Sequence, residues 1–234
     1  MDTIGYTRKK YKRLHYKTRE EWLKARVIGG SSASAIVGKS PYKSKFDIYT
    51  ELTSHREVHE KASNEAMEYG NKLEPLIRKE FAYDHPQYIV KGPKGHEMFA
   101  RYDKPWMTAT LDGHLIHKIS KKKLILEIKT HDIRNRKDDE MWQVTIPVNY
   151  FIQVIHYLNV MNDYQGVILV ARLRFFDYYH EDGKKLLKTE TRYYYLDRKD
   201  EEIQKQMVAL ENAETKFWEE NVTKHIPPAM KVVI

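Results

Sequence analysis

The sequence predicts an α/β fold in which one central mixed β-sheet is flanked by helices. The spacing of apolar residues changes from three and four to two and back again, in the order helices, strands, helix, strands, helix. No internal repeat, low-complexity tract or Pro/Gly/Ser-rich linker interrupts the 234 residues, so residues 1–234 read as a single domain. Hydrophobic residues make up 41% of the chain, enough to build a core. The longest apolar runs, such as residues 166–171, fall far short of the roughly 20 residues a bilayer span requires.

The elements follow in order. Residues 1–17 read as a basic N-terminal arm carrying Tyr6, Tyr11, His15 and Tyr16. Thr18 caps a first helix, with Glu20 and Glu21 in its opening turn and Trp22, Leu23 and Val27 on its apolar side. That helix stops at Gly29-Gly30. Ser31 and Ser32 open a short helix through Ile36 and Val37, residues 38–42 turn, and Ser44 caps a helix bearing Phe46, Ile48, Tyr49 and Leu52. Residues 63–83 are helical in period, and Pro75 inside them predicts a kink or restart near Leu73. The period then drops to two. Residues 88–90 and 97–102 form short strands, while 106–116 and 123–130 form a hairpin with Lys121, Lys122 and Lys123 at its tip. Residues 149–161 are helical, and 166–176 and 191–196 make a second strand pair turning at His180-Glu181-Asp182-Gly183-Lys184. Residues 197–234 close the chain as an amphipathic helix and tail, with Ile203, Met207, Leu210, Ala213 and Phe217 on one side of the helix.

Composition narrows the chemistry. The formal net charge is +8, and residues 1–30 hold nine Lys and Arg against three acids, six of those eight net charges. Such a balance favours a polyanionic partner, DNA or RNA first. The basic arm, interleaved with tyrosines, fits either a phosphate-tracking, base-stacking segment or an ordinary solvated terminus. With no Cys, disulfides, thiolate zinc sites, Cys nucleophiles and ordinary Fe–S clusters are excluded. No apolar stretch follows the basic N-terminus, so no secretory signal is expected, and a cytoplasmic location fits.

The sharpest local feature is Leu111-Asp112-Gly113 followed by residues 124–130, LILEIKT. Side chains alternate along a strand, so Glu127 and Lys129 project side by side with Ile125, while Leu124, Leu126 and Ile128 share the opposite face. Asp112, on the preceding strand of the hairpin, approaches Glu127 across the ladder. Two converging carboxylates offer hard oxygen ligands suited to Mg²⁺ or Mn²⁺. A lysine beside them can orient an attacking water and offset charge on a phosphate. A solvent-facing salt bridge on an edge hairpin fits the same residues. The histidines His85, His96, His114, His117, His131 and His156 have no ligand-set spacing and read as structural or phosphate contacts.

Asp112, Glu127 and Lys129 resemble the PD-(D/E)xK signature of restriction-endonuclease-like nucleases, with Leu111 where the signature has Pro. Residues 26–42, RVIGGSSASAIVGKSPY, resemble the N-terminal motif of YqaJ-type viral recombinases, the lambda-exonuclease-like branch of that superfamily. Residues 65–81, EAMEYGNKLEPLIRKEF, are similar to that branch's next motif, a helix donating an acid that falls here on Glu74. Gln153 and Tyr157 match the Gln-xxx-Tyr helix shared with RecB-type nucleases. Together the four motifs span about residues 18–165 in the expected order.

The resemblance implies a restriction-endonuclease-like core and a Mg²⁺-dependent 5′→3′ exodeoxyribonuclease acting on double-stranded DNA ends, with Mn²⁺ as a substitute metal. It implies that Asp112, Glu127, the Ile128 backbone carbonyl and Glu74 hold the metal, and that Lys129 positions the water. Arg26, Ser31 and Ser32 become a pocket for a 5′-terminal phosphate, which a helix N-terminus and a bidentate arginine suit chemically. Gln153 and Tyr157 share a helix face that either clamps a nucleotide or orients the Lys129 region. A homotrimer and a single-strand annealing partner, in a bacterial or phage-infected cell, are implied as well. The rival expectations are an endonuclease or RecB-like repair nuclease of the same superfamily, and a non-catalytic module that binds DNA ends.

Overall fold

The structure is a computed structural model, and it describes residues 9–54, 65–179 and 185–229. Tyr6 and Arg8 of the basic arm, the first residues of the 63–83 helix, the turn at 180–184 and the tail from 230 lie outside the described residues. The chain runs β1 (Tyr11–Tyr16), α1 (Arg19–Ala25), α2 (Gly30–Ile36), α3 (Lys45–Thr53), α4 (Glu65–Asp84), β2 (Tyr88–Lys91), β3 (His96–Arg101), β4 (Thr108–Ala109) and β5 (Gly113–His117). It continues through β6 (Lys123–Ile133), α5 (Arg136–Val144), α6 (Val148–Val160), β7 (Gly166–Tyr179), β8 (Lys185–Asp197) and α7 (Glu201–Phe217). A π-helical turn, Trp218–Val222, extends α7.

The central sheet has the order β2-β5-β6-β7-β8. Only β6 and β7 run parallel within it, joined by the α5–α6 crossover that a parallel pair requires. The α/β class with a mixed, helix-flanked sheet is therefore the one the sequence predicts. Among the described residues, no helix is long and apolar enough to cross a membrane.

Both faces of the sheet are covered, because every residue of 124–128 is buried. Alternation assigns the sides. Leu124, Leu126 and Ile128 pack with Leu115 and Val170 against Ile77 and Phe81 of α4. Ile125, Leu169, Ala171 and Leu173 face the larger core, which gathers Ala33 and Ile36 of α2, Ile152, Ile155 and Leu158 of α6, and Leu210 of α7. Glu127 and Lys129 share the parity of Ile125, so they project toward α2 and α6 rather than toward open solvent.

Several expectations need correction. Residues 11–16 are not a free arm. They form β1, paired antiparallel to β3 in a separate three-stranded sheet of order β1-β3-β4. Tyr11 is buried and donates to Asp163 Oδ1 at 2.7 Å, and Arg13 ion-pairs with buried Glu97. The reason is alternation hidden by charge: basic side chains point out from a strand whose other face is covered. The stretch 106–116 is likewise not one strand. It divides into β4, which belongs to the small sheet, and β5, which belongs to the central one.

The first helix ends at Ala25, not at Gly29-Gly30, and Ile28 then forms a parallel bridge to Met107. The second helix begins at Gly30 with Gly29 as its cap, so Ser31 and Ser32 lie in its first turn instead of capping it. Pro75 does not restart the helix, since α4 is one helix from Glu65 to Asp84 with the proline inside it. The helix α5 went unrecognised among its many charges. Thr18 and Ser44 do cap their helices, each in a reciprocal capping box with Glu21 and Asp47 respectively.

Candidate active site

Three elements bring the site together. Asp112 lies one residue before β5, and the Gly113–Leu126 pairing puts it opposite Glu127 on β6. Its Oδ2 accepts the backbone N–H of Ile128 at 2.8 Å. This bond ties the corner carboxylate to the strand that carries the other two residues. Lys129 Nζ donates to Glu127 Oε1 at 2.5 Å, and the Glu127 side chain is 1% exposed.

The third element is α6. Gln153 Nε2 donates to Glu127 Oε1 at 2.7 Å and to the Tyr157 hydroxyl at 2.9 Å. The i, i+4 pair on one helical face thus reaches over the strand and fixes the glutamate, while Tyr157 is buried at 2% exposure. Close approach of α2 to this face depends on Gly30. A Cβ there would come within 2.5 Å of Gln153 Cγ and 2.8 Å of Tyr157 Cε1.

The electrostatics follow from burial. Desolvation, then the charge of Glu127, pushes the Asp112 carboxyl well above its ordinary range. Desolvation raises Glu127 too, against the pull of Lys129. Burial works against the Lys129 charge, but the Glu127 and Asp112 carboxylates override it and raise the lysine, which stays a cation. The site thus concentrates two carboxylates where their charges are unfavourable.

Glu127 Oε2 is buried and, among the described residues, accepts no hydrogen bond. An unpaired carboxylate oxygen beside a second acid fits a divalent cation, which would relieve both the desolvation and the repulsion. The donor set is hard oxygen throughout. Among the described residues, no three His, Asp or Glu side chains come together as a metal cluster. Mg²⁺ suits such a sparse set, because it is held by one or two carboxylates and keeps several waters.

Glu74 is near this centre but is engaged elsewhere. Its carboxylate takes Arg78 Nη1 at 2.9 Å, and the same nitrogen donates to the Asp112 backbone carbonyl. The Glu74 charge nevertheless raises both Asp112 and Glu127, so the three acids share one field. Arg26 approaches from the opposite side. Its guanidinium donates to Ser31 Oγ at 3.3 Å, lies 5.5 Å from the Trp22 ring and favours the ionised form of Glu127. Ser32 is in the first turn of α2, its amide turned back to the Gly29 carbonyl at 2.9 Å.

Two residues here, Arg78 and Tyr150, were not singled out from sequence, and the role of a third differs from its sequence reading. Arg78 follows Glu74 by four, a helical ion-pair spacing that was readable. Tyr150 precedes Gln153 by three, on the same helical face, and its ring lies 5.2 Å from Lys129 Nζ. Gly30 reads from sequence as part of a helix stop and an anion approach, whereas the close packing that requires it comes from a helix 123 positions away in the chain. Two histidines prove structural as expected: His156 is buried between Glu214 and the Thr108 carbonyl, and His114 contacts Tyr164 and Glu97.

Comparison with known proteins adds the following. The family model of the YqaJ-like viral recombinase domain matches residues 21–164. The uncharacterized protein YqaJ of Bacillus subtilis is 31% identical over 219 residues, covering 91% of this chain and 59% of that protein. The chain therefore spans about three fifths of that relative's length. Among solved structures, an alkaline exonuclease from Laribacter hongkongensis superposes with a TM-score of 0.55 at 18% identity, covering 88% of this chain and 98% of that one. A phage-related exonuclease from Haemophilus somnus gives the same TM-score at 15% identity, covering 85% and 96%.

Proposed function

The chain belongs to the YqaJ-like viral recombinase family, and from that premise we propose that it is a metal-dependent exodeoxyribonuclease that degrades double-stranded DNA ends 5′→3′, leaving 3′ single-stranded tails for phage-type recombination. The observation that carries the proposal is the trio of half-buried Asp112, buried Glu127 and half-buried Lys129, cross-braced by the Ile128 amide and by Gln153. Binding DNA alone needs no such arrangement. Two carboxylates drawn together where burial and mutual repulsion disfavour their charges cost stability, and a merely structural site would be expected to avoid them.

In this mechanism Asp112 and Glu127, with the Ile128 carbonyl, would hold Mg²⁺ or Mn²⁺, and Glu74 would be the further acid available to it. When bound, the cation would supply Lewis-acid stabilisation of the scissile phosphate and would lower the pKa of the attacking water. Lys129 orients that water through its ammonium N–H groups and offsets charge growing on the phosphate oxygens. Gln153 holds the Glu127 carboxylate in place, so its loss acts through Glu127. Arg26, with Ser31 and Ser32, receives the 5′-terminal phosphate and so sets direction. A homotrimer around the DNA and a single-strand annealing partner belong to the same proposal.

The test is digestion of a linear duplex labelled at one end, with and without Mg²⁺ and with a 5′ phosphate or a 5′ hydroxyl. Expected is metal-dependent loss of nucleotides from the 5′ end, faster on the phosphorylated substrate. Internal cuts on a closed circle would point to the endonuclease alternative, and binding without cleavage to the end-binding module.

A further inference from the structure

Glu74 is carried by a helix rather than by the sheet, so its place at the site depends on how α4 is docked. Gly70, Glu74 and Arg78 recur at four-residue spacing and form one stripe along α4, about 12 Å from end to end. At one end, a Cβ on Gly70 would lie 2.9 Å from Thr130 Oγ1, so the helix rests closely on β6 one residue past Lys129. At the other end, Arg78 Nη1 donates to the Asp112 backbone carbonyl, at the corner that opens β5. Glu74 lies one helical turn from each of these contacts.

The same Arg78 nitrogen donates to Glu74 Oε1 at 2.9 Å, so a single guanidinium joins the two acids. The Arg78 side chain is 16% exposed, and the chain leaving β2 closes over it. A Cβ on Gly92 would come within 2.9 Å of Arg78 Nε and 3.1 Å of Cζ. Asp112 is thereby held at both ends, its carbonyl by Arg78 and its carboxylate by the Ile128 amide. Arginine suits this place because it keeps its charge when buried. Bonded to Glu74, that charge lets a third acid stand beside two whose ionisation Glu74 opposes.

We propose that Arg78 is a positioning residue of the site. It fixes the Asp112 corner and the Glu74 carboxylate relative to each other, and so sets the spacing of the acids that would hold a divalent cation. The proposal rests on the nuclease reading. Arg78 acts through Asp112 and Glu74, both of which remain in place when it is replaced.

The experiment compares the whole wild-type protein with Arg78→Ala. In EDTA, Arg78→Ala is expected to keep a native circular dichroism spectrum and to bind 5′-phosphorylated duplex ends as tightly as wild type. The Mg²⁺ concentration that gives half of the rise in melting temperature should increase about 10–100-fold, the range seen when a residue that orients a metal ligand is lost. Digestion in Mg²⁺ should fall in kcat rather than in KM, and guanidinium chloride at a non-denaturing concentration should restore part of it. Gly92→Ala, which displaces the guanidinium without removing it, should shift the Mg²⁺ titration in the same direction by less. It takes over the test if Arg78→Ala does not fold. A folded Arg78→Ala protein that titrates with Mg²⁺ and digests as wild type does overturns the proposal. So does a loss of digestion that comes with weaker end binding and no rescue by guanidinium, the mark of a purely structural arginine. A wild type that neither digests DNA ends nor gains stability from Mg²⁺ rejects the nuclease reading and the proposal with it, a result distinct from the other two.

Discussion

At the scale of single residues, Lys129 and Gly30 make the sharpest contrast. Lys129 is held by chemistry: its ammonium is raised by the carboxylates of Glu127 and Asp112 and bonded to the first of them. Lys129→Ala is expected to bind DNA ends while digestion in Mg²⁺ falls by about 10²–10³-fold, the range seen for removing one preorganised electrostatic donor. A single-turnover digestion beside an electrophoretic binding assay checks this. Near wild-type digestion would sink the assignment.

Gly30 is held by space alone. Gly30→Ala puts a methyl group into Gln153 and Tyr157, and overpacking of this kind costs about 1–3 kcal/mol. Urea denaturation should show the loss, and digestion should weaken as well because Gln153 can no longer brace Glu127.

The buried pair of His156 and Glu214 predicts a pH dependence. Both imidazole nitrogens face acceptors, Glu214 Oε1 at 2.7 Å and the Thr108 carbonyl at 2.9 Å. Burial opposes the imidazolium, yet the Glu214 carboxylate prevails and raises His156 above its ordinary value. A raised folded-state pKa means that the native protein binds the extra proton. The pair's contribution is then fully present below about pH 6.5, the unfolded value, and is lost as pH rises through the folded one. The stability advantage of wild type over Glu214→Gln, measured by urea denaturation, should shrink from pH 6 to pH 9.

At the scale of elements, β1 separates what charge predicts from what pairing does. Five of the first seventeen residues' charges fall within or beside this strand, at Lys9, Lys10, Lys12, Arg13 and Lys17, and composition alone reads them as a solvated arm. The strand nevertheless pairs with β3 over six residues, buries Tyr11 and neutralises Glu97. Deleting residues 1–17 is therefore expected to destabilise the fold rather than merely to weaken DNA binding. Loss of Arg13 alone leaves buried Glu97 with His114 Nε2, at 3.4 Å, in place of a strong ion pair, a change worth up to about 3–5 kcal/mol. Thermal denaturation of the truncated protein measures this. An unchanged midpoint with reduced DNA affinity would restore the arm. Elsewhere local signals sufficed: Thr18 and Ser44 begin their helices as their side chains dictate, while α5 was hidden because few of its nine residues are apolar.

At the scale of the whole molecule, the two-sided core determines how the site behaves without ligand. Covering the central sheet on both faces removes Glu127 from water and leaves one of its oxygens without a hydrogen-bond partner among the described residues. A divalent cation that binds the folded protein and not the unfolded chain raises stability by mass action. Mg²⁺ or Mn²⁺ is therefore expected to raise the melting temperature relative to EDTA, and Asp112→Ala or Glu127→Ala to abolish the increase. An equal increase in those variants would put the metal elsewhere.

The sequence by itself determined the fold class, the family and the residues of the trio, because these reside in local period and in short motifs whose spacing along one strand or helix fixes which side chains share a face. Tertiary structure alone decided that the face of Glu127 and Lys129 is covered by α6, that Gln153 braces Glu127, that α2 needs a glycine at position 30, and that the Tyr150 ring lies beside Lys129. Each of these depends on contact between segments distant along the chain. Local pattern carries no term for such contacts: it states which way a side chain points, not what it meets.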